Sequence, residues 1–382
     1  MFDTPIVFII FNRPATTEKV FAKIREVKPA QLLVIADGGR PDSLDDTEKC
    51  AAARRIIEGV DWDCQVIKNY SSTNLGCAKR IETGLNWVFQ LVEEAIILED
   101  DCLPDASFFP FCQQLLERYR HDGRVMQIGG HNRLFQWRLS RQSYHFSYLY
   151  GSPHGWATWR RAWNQYNLED RAWDDPRNLL YLEQVIPDRE DLQKFLRLCD
   201  RIFNDPDLED EWGYKWTFVK LTGRGLSVIP ATNLVTNIGC GAGGTHMKHR
   251  TLLNGSSIPK EPIGFPLVHP GTIEPDLEFE TEHGCWSIGE PSAIALLPLI
   301  QKLLSGGQNI NALVLLDKAL SEQPDSILLN RWKAEALIAL KQPRRAMAVI
   351  EHLLNHSPQS GGAISPGEVL GSFSSGFSHP SP

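Results

Sequence analysis

The chain has 382 residues, enough for a large core and more than one domain. An apolar fraction of 42% with 23% charged residues places it among ordinary soluble proteins, and a net charge of −8 with no basic run argues against nucleic acid as the main partner. No apolar stretch approaches the length of a membrane span, so no transmembrane segment is expected.

The start, Met1 to Phe11, is apolar but lacks a basic flank and meets Asn12-Arg13-Pro14. It reads as a strand and a turn rather than a signal peptide, and Thr16 or Thr17 is placed to cap a helix running to about Val27. Gln31 to Ala36 is a second strand ending at Asp37-Gly38-Gly39, where glycines let backbone approach a ligand. Thr47 to Gly59 is helical in period, and Cys64 to Asn69 is a third strand. Asn74-Leu75-Gly76-Cys77 then opens a helix to about Leu91, with Lys79 and Arg80 in its first turns. The free N–H groups of such a start suit phosphate, although Lys79 and Arg80 taken alone fit a solvated helix face better.

The fourth strand, Ala95 to Leu98, ends in Glu99-Asp100-Asp101. The resulting β-α-β-α-β-α-β order predicts a parallel sheet covered on both faces. The three acids then leave the sheet at the edge where open α/β sheets bind ligands. Adjacent carboxylates repel unless a cation joins them, and hard oxygen ligands suit Mn²⁺ or Mg²⁺. A solvated acidic turn is the competing account.

Beyond Pro104 come a helix from Ala106 to Arg120 and a strand from Val125 to Gly130. The pattern then loosens into Trp-, Tyr- and Arg-rich sequence, including Gly155-Trp156-Ala157-Thr158-Trp159. The 11 tryptophans suit either sugar stacking in a cleft or a large core. A helical stretch at about Asp188 to Phe203 precedes the acidic Asp207-Leu208-Glu209-Asp210-Glu211-Trp212, an apolar helix to Leu221 and a late strand, Leu226 to Pro230. Gly239, Gly241, Gly243 and Gly244 then form a loop before His246.

From about 309 the texture changes to a repeat. Ala312, Leu316, Ala319 and Pro324 recur as Ala346, Ile350, Leu353 and Pro358, each 34 residues on, the period of tetratricopeptide helix pairs. Lys333 stands where that family usually has an apolar residue, and two unrelated amphipathic helices remain the alternative. The boundaries expected are a catalytic domain over 1–286, a linker over 287–308, repeat helices over 309–356 and a disordered Ser-, Gly- and Pro-rich tail over 357–382. The 8 cysteines contain no Cys-x-x-Cys pair, which suits a reduced cytoplasmic protein with buried thiols, peripheral attachment to a membrane being left open.

These ordered features resemble nucleotide-sugar glycosyltransferases of the GT-A fold. The resemblance is to inverting enzymes related to family 2 and to the Golgi N-acetylglucosaminyltransferase that starts N-glycan branching. It rests on Phe11-Asn12-Arg13-Pro14, Asp37-Gly38, Asn74-Leu75-Gly76, Leu98-Glu99-Asp100-Asp101, Gly155-Trp156-x-x-Trp159, Glu209-Asp210-Glu211-Trp212, and Asn237-Ile238-Gly239 followed by Thr245-His246. It implies a Rossmann-like, mainly parallel sheet flanked by helices, with the C-terminal repeat outside it. It further implies transfer of a hexosyl or N-acetylhexosaminyl group from a nucleotide sugar, a UDP-sugar first, to a hydroxyl of a glycan or other acceptor. By resemblance Asp101 is the main metal ligand, and Asp100 and Glu99 hold ribose, water or metal. Asn12, Arg13 and Asp37 lie on the uracil or ribose side, and Asn74 and Gly76 shape the nucleotide pocket with Lys79 or Arg80 near phosphate. His246 closes over the diphosphate or ligates the metal, or is a plain loop histidine. Asp210, then Glu211, is the base, a helix-capping role being the alternative, and Trp212 and Trp216 are placed to stack on sugar. Two other readings compete: a nucleotidyltransferase of the same fold, and a non-catalytic protein that recruits partners through its helical repeat.

Overall fold

Ile6, Phe8 and Ile10 join one buried cluster, and Val7 and Ile9, between them in sequence, join another. Such a strand must lie inside a sheet with both faces covered. The structure, a computed structural model, describes residues 2–138, 140–166, 176–186, 189–204, 212–239, 258–283 and 293–356. The chain divides into two units, Met1–Glu290 and Pro291–Pro382.

The first unit begins with β1 (Ile6–Ile10), α1 (Pro14–Val27), β2 (Gln31–Ala36), α2 (Leu44–Ile57), β3 (Gln65–Tyr70), α3 (Cys77–Leu91) and β4 (Glu94–Glu99). It continues with β5 (Cys102–Pro104), α4 (Phe108–Tyr119), β6 (Val125–Gly129), β7 (Tyr144–Ser147), β8 (Trp156–Trp159) and α5 (Arg160–Trp163). Next come α6 (Pro176–Val185), α7 (Arg189–Asn204), α8 (Trp212–Thr222), β9 (Leu226–Pro230), β10 (Val235–Asn237) and α9 (Leu277–His283).

Eight strands form one sheet in the order β3-β2-β1-β4-β8-β6-β9-β7. The first four are mutually parallel, and β8 enters antiparallel between β4 and β6. The α/β class expected from the sequence, with a large, mostly parallel sheet flanked by helices and further helices at the C-terminus, is the one observed. Residues of α1, α2 and α4 pack on Phe8, Val34 and Leu98 on one face. Residues of α3, α5 and α8 pack on Val7, Leu33 and Ile97 on the other.

The Thr16 or Thr17 cap expected for α1 is not formed. Arg13 holds the N-cap position, Pro14 starts the helix, and both threonine hydroxyls donate back to the Arg13 carbonyl at 3.2 and 2.8 Å. Proline at this position loses no helical bond, and its fixed φ suits the start of a helix.

In the second unit, α10 (Ala293–Ser305), α11 (Asn309–Glu322), α12 (Ile327–Ala339) and α13 (Pro343–His356) pack in sequence, each on the next. Helix α10 lies within the stretch read as a linker. The repeated Ala312, Leu316, Ala319, Ala346 and Ile350 are all buried. Lys333 is accommodated at its apolar position by an ion pair with Asp317 at 2.6 Å.

Candidate functional site

The chain runs outward from β1 through β2 to β3, then returns to place β4 on the other side of β1. The order therefore reverses between β1 and β4, and the crevice beyond the strand ends at such a reversal is where open α/β sheets take ligands. Charged side chains collect there. After β1, the Arg13 guanidinium donates to Asp101 Oδ2 at 2.7 Å and stands 3.8 Å from Asp100 Oδ1. The Phe11 N–H donates to Asp100 Oδ2 at 3.0 Å. Burial works against the charge of Arg13, but Asp100 and Asp101 outweigh it and hold its pKa above the ordinary value. Burial first, and then the neighbouring Asp101 charge, pushes the Glu99 and Asp100 carboxyls upward.

Asp101 is also covered from the late part of the chain. Strand β10 pairs antiparallel with β5, matching Asn237 to Cys102. The Ile238 N–H then donates to the Asp101 carbonyl at 2.7 Å, and the Gly239 N–H to Asn237 Oδ1 at 2.8 Å. A β-carbon at Gly239 would collide with the Asp101 carboxylate, so the close approach requires glycine. The Asn237-Ile238-Gly239 motif, which begins 136 residues beyond Asp101 in sequence, is thus placed directly against the acidic turn.

The other expected donor-side residues divide. Asn12 donates to Asp46 Oδ1 at 2.6 Å, and Asp46 also accepts from Arg40, which holds it at about 2 despite burial. Asp46 was not singled out from sequence. An Asp at the start of α2 looks like helix-dipole dressing until Asn12 and Arg40 are seen to meet it.

Asp37 is buried, and its carboxylate accepts from the Leu75 N–H at 3.0 Å, the Gly38 N–H at 2.9 Å and the Asn74 amide at 3.1 Å. Burial raises its pKa against those bonds. Asp37 therefore fixes the turn before α3, with Gly76 as N-cap of that helix at φ 83°. Gly38 passes so close to Thr73 that a β-carbon would come within 2.5 Å of its carbonyl carbon.

Arg80 turns inward. It donates to the Ala36 carbonyl at 3.2 Å and the Asn69 side chain at 2.7 Å and is buried, while Lys79 is exposed. Trp212 and Trp216 are 5% and 0% exposed and pack with Trp156 and Trp163, so of the two readings of these tryptophans the core reading holds. Asp210, Glu211 and His246 lie outside the described residues.

Two histidines that the sequence reading passed over stand at the same edge. His131 follows β6 and His154 precedes β8, with ring centroids 6.0 Å apart. Asp101 is the charge that acts on His154, opposing the effect of burial. The signal was hidden because β8 is four residues long and buried on both faces, so it shows no alternation.

A divalent cation at this edge would meet carboxyl groups that Arg13 already faces. Glu99, Asp100 and Asp101 set three carboxyl groups against the single guanidinium of Arg13. Among the described residues no group of three or more His, Cys, Asp or Glu converges to hold a metal. A cation here would take few protein ligands and draw the rest from phosphate oxygens and water, which is how Mg²⁺ is ordinarily held.

Fold and edge together define an α/β protein with charged side chains gathered at the topological switch point of its sheet. Residues 303–364 match the family described as Tetratricopeptide repeat. No curated protein matches the chain. Solved structures similar to it include a UDP-glucose pyrophosphorylase complexed with UDP-glucose, 11% identical, with 38% of this chain and 62% of that chain covered at a TM-score of 0.23. Another is the apo form of mouse xyloside xylosyltransferase 1, 10% identical, covering 57% of this chain and 81% of that chain at a TM-score of 0.29. The chain thus spans less than two thirds of the pyrophosphorylase. Among the described residues no helix is long and apolar enough to cross a membrane.

Proposed function

We propose that the first unit is a metal-dependent inverting glycosyltransferase that moves a sugar from a nucleotide-diphosphate donor, a UDP-sugar first, to a hydroxyl of a glycan or other acceptor. The observation that carries this reading is the meeting of Arg13, Asp101 and Asn237-Ile238-Gly239 at the switch point between β1 and β4. Two segments far from the acidic turn in sequence meet at Asp101, Arg13 on its carboxylate and Ile238 on its carbonyl, and the resemblance assigns Arg13 and Asp101 to the donor site.

In this reading the nucleoside lies over Asn12 and the turn that Asp37, Asn74 and Gly76 build. Asp101 holds Mn²⁺ or Mg²⁺ together with diphosphate oxygens, with His246 as a further ligand by resemblance. A cation held there would supply positive charge to offset that of the diphosphate leaving group. Arg13, already beside Asp101, donates to a diphosphate oxygen, and Glu99 and Asp100 hold ribose or water. Asp210 or Glu211 takes the proton of the acceptor hydroxyl. The chain re-enters the described structure at Trp212, anchored in the core against Trp156. The helices of the second unit recruit a protein partner, as tetratricopeptide helices present stacked concave surfaces.

Calorimetric titration with UDP, GDP and CDP, with and without Mn²⁺, tests the reading. UDP should bind with Mn²⁺ and much more weakly without it, and Asp101→Asn should remove the Mn²⁺ dependence while the protein stays folded. A chain that binds none of the three nucleotides under either condition is not a nucleotide-sugar enzyme.

A further inference from the structure

We propose that Asn12 and Arg40, both set by Asp46, read the pyrimidine edge of the nucleotide and select uracil. The inference rests on the reading above, that a nucleotide lies over Asn12, and names the groups that choose its base.

Asp37, the acid expected on the uracil or ribose side, is engaged elsewhere. Its two oxygens accept from the Gly38 N–H at 2.9 Å, the Leu75 N–H at 3.0 Å and the Asn74 amide at 3.1 Å, and the residue is 6% exposed. Those bonds turn the carboxylate toward its own loop and leave little of it within reach of a base.

Asn12 and Arg40 are placed differently. The Phe11 N–H donates to Asp100 Oδ2 at 3.0 Å, which sets the chain after β1 beside the acidic turn. Asn12, the next residue, is half-buried, and the Arg40 guanidinium carbon lies 5.8 Å from the centre of the Phe11 ring, within cation–π range. Both side chains thus flank the end of β1, at the switch point.

Asp46 fixes what each of them presents. Its hydrogen bond from Arg40, more than any other influence, holds its pKa at about 2, so it is ionised at neutral pH. An ionised carboxylate only accepts, so the Asn12 atom 2.6 Å from Oδ1 is the amide nitrogen, and the amide oxygen faces the other way. Arg40 gives Nε to Oδ2, and Nη2 to Oδ1 at 3.1 Å. Among the described residues Nη1 has no partner, and the side chain is 53% exposed, open to a ligand. One acceptor and one donor, joined through a single carboxylate, complement the N3–H and O4 of uracil. Cytosine carries the opposite pair, a bare N3 and an N4 amino group. Acceptor would then face acceptor and donor face donor.

Calorimetry on the full chain with UDP and CDP, each with Mn²⁺, measures the selection. The parent should bind UDP about tenfold or more tightly than CDP, as expected when hydrogen bonds to a charged group are lost. Uridine and cytidine monophosphates without Mn²⁺ should keep the same order, since no metal takes part. Arg40→Lys keeps a cation for Asp46 but loses the planar fork, and should bring the preference down to about threefold or less. Asp46→Asn leaves both reading residues in place but lets the Asn12 amide turn over, and should lower the preference as far. Folded variants of both kinds that keep the parent's preference overturn the inference and leave the glycosyltransferase reading intact. So does a parent that binds CDP or GDP as tightly as UDP, or one that accepts 3-methyl-UDP equally well, and neither result needs a variant. A parent that binds no nucleotide overturns the glycosyltransferase reading, and this inference with it.

Discussion

Arg13 and Asp101 meet across the point where the sheet order reverses, guanidinium to carboxylate at 2.7 Å, and both side chains are largely shielded from water. The turn after the first strand thus supplies the countercharge for the turn after the fourth. Removing one partner leaves the other charge unpaired in a poorly solvated place, which costs more than the pair contributes.

Arg13→Ala should therefore lower the unfolding free energy by about 3 kcal/mol in urea titrations. Asp101→Ala should cost less in the Arg13→Ala background than in the parent, with a coupling of about 1 kcal/mol or more. Mn²⁺ should recover part of the Arg13→Ala loss, because a cation takes over the same countercharge. Strictly additive single effects and no response to Mn²⁺ would show that the two residues act independently.

Gly239→Ala sets a β-carbon against the Asp101 carboxylate. The variant should keep its fold yet lose most Mn²⁺-dependent UDP binding, because Asp101 must turn away from the crevice. Gly264→Ala, where a β-carbon meets nothing within 4 Å, is the matched control. Equal nucleotide affinities in the two variants would detach Gly239 from the site.

Trp216 is fully buried and its indole N–H is given to Gln127. Trp216→Ala should destabilise the first unit by about 3–5 kcal/mol, as expected of an emptied core position. Trp216→Phe should cost about 1–2 kcal/mol by leaving Gln127 Oε1 unpaired. A Trp216→Ala protein of unchanged stability that had lost only acceptor affinity would return this residue to the sugar-stacking role.

His145 on β7 is 1% exposed, both its ring nitrogens lack hydrogen-bond partners, and its ring lies 4.1 Å from that of Phe279. Burial pulls its pKa down from 6.5 to about 3, against the attraction of Asp276. Between those two values the unfolded chain binds the proton and the folded chain does not. Stability is therefore fully present above about 6.5 and is lost as pH falls toward about 3, at up to about 1.4 kcal/mol per pH unit. His145→Phe should flatten that slope in urea titrations across pH 4–7. An unchanged slope would assign the acid sensitivity to other groups.

The sequence by itself determined the strands and the ends at which the chemistry collects. Gln31–Ala36 and Leu226–Pro230 lie where their apolar runs placed them, Asp37 follows its strand as expected, and Glu99 is the last residue of β4. A strand buried on both faces needs a continuous apolar run, and the first polar residues after it mark where it leaves the sheet, so both signals are local. The 34-residue recurrence was legible for the same reason, since each repeat carries its own buried face.

Partners and directions were decided only by the tertiary structure. Nothing in Trp156–Trp159 announces that it slots antiparallel between β4 and β6. Nothing in the first turns of α3 tells that Arg80 faces the Ala36 carbonyl at the end of β2 while Lys79 faces water. Nor does the sequence show that Arg13, rather than solvent, meets Asp101. Each of these depends on contacts between segments distant along the chain, where the packing of the sheet and its helices, rather than local preference, sets which atoms meet.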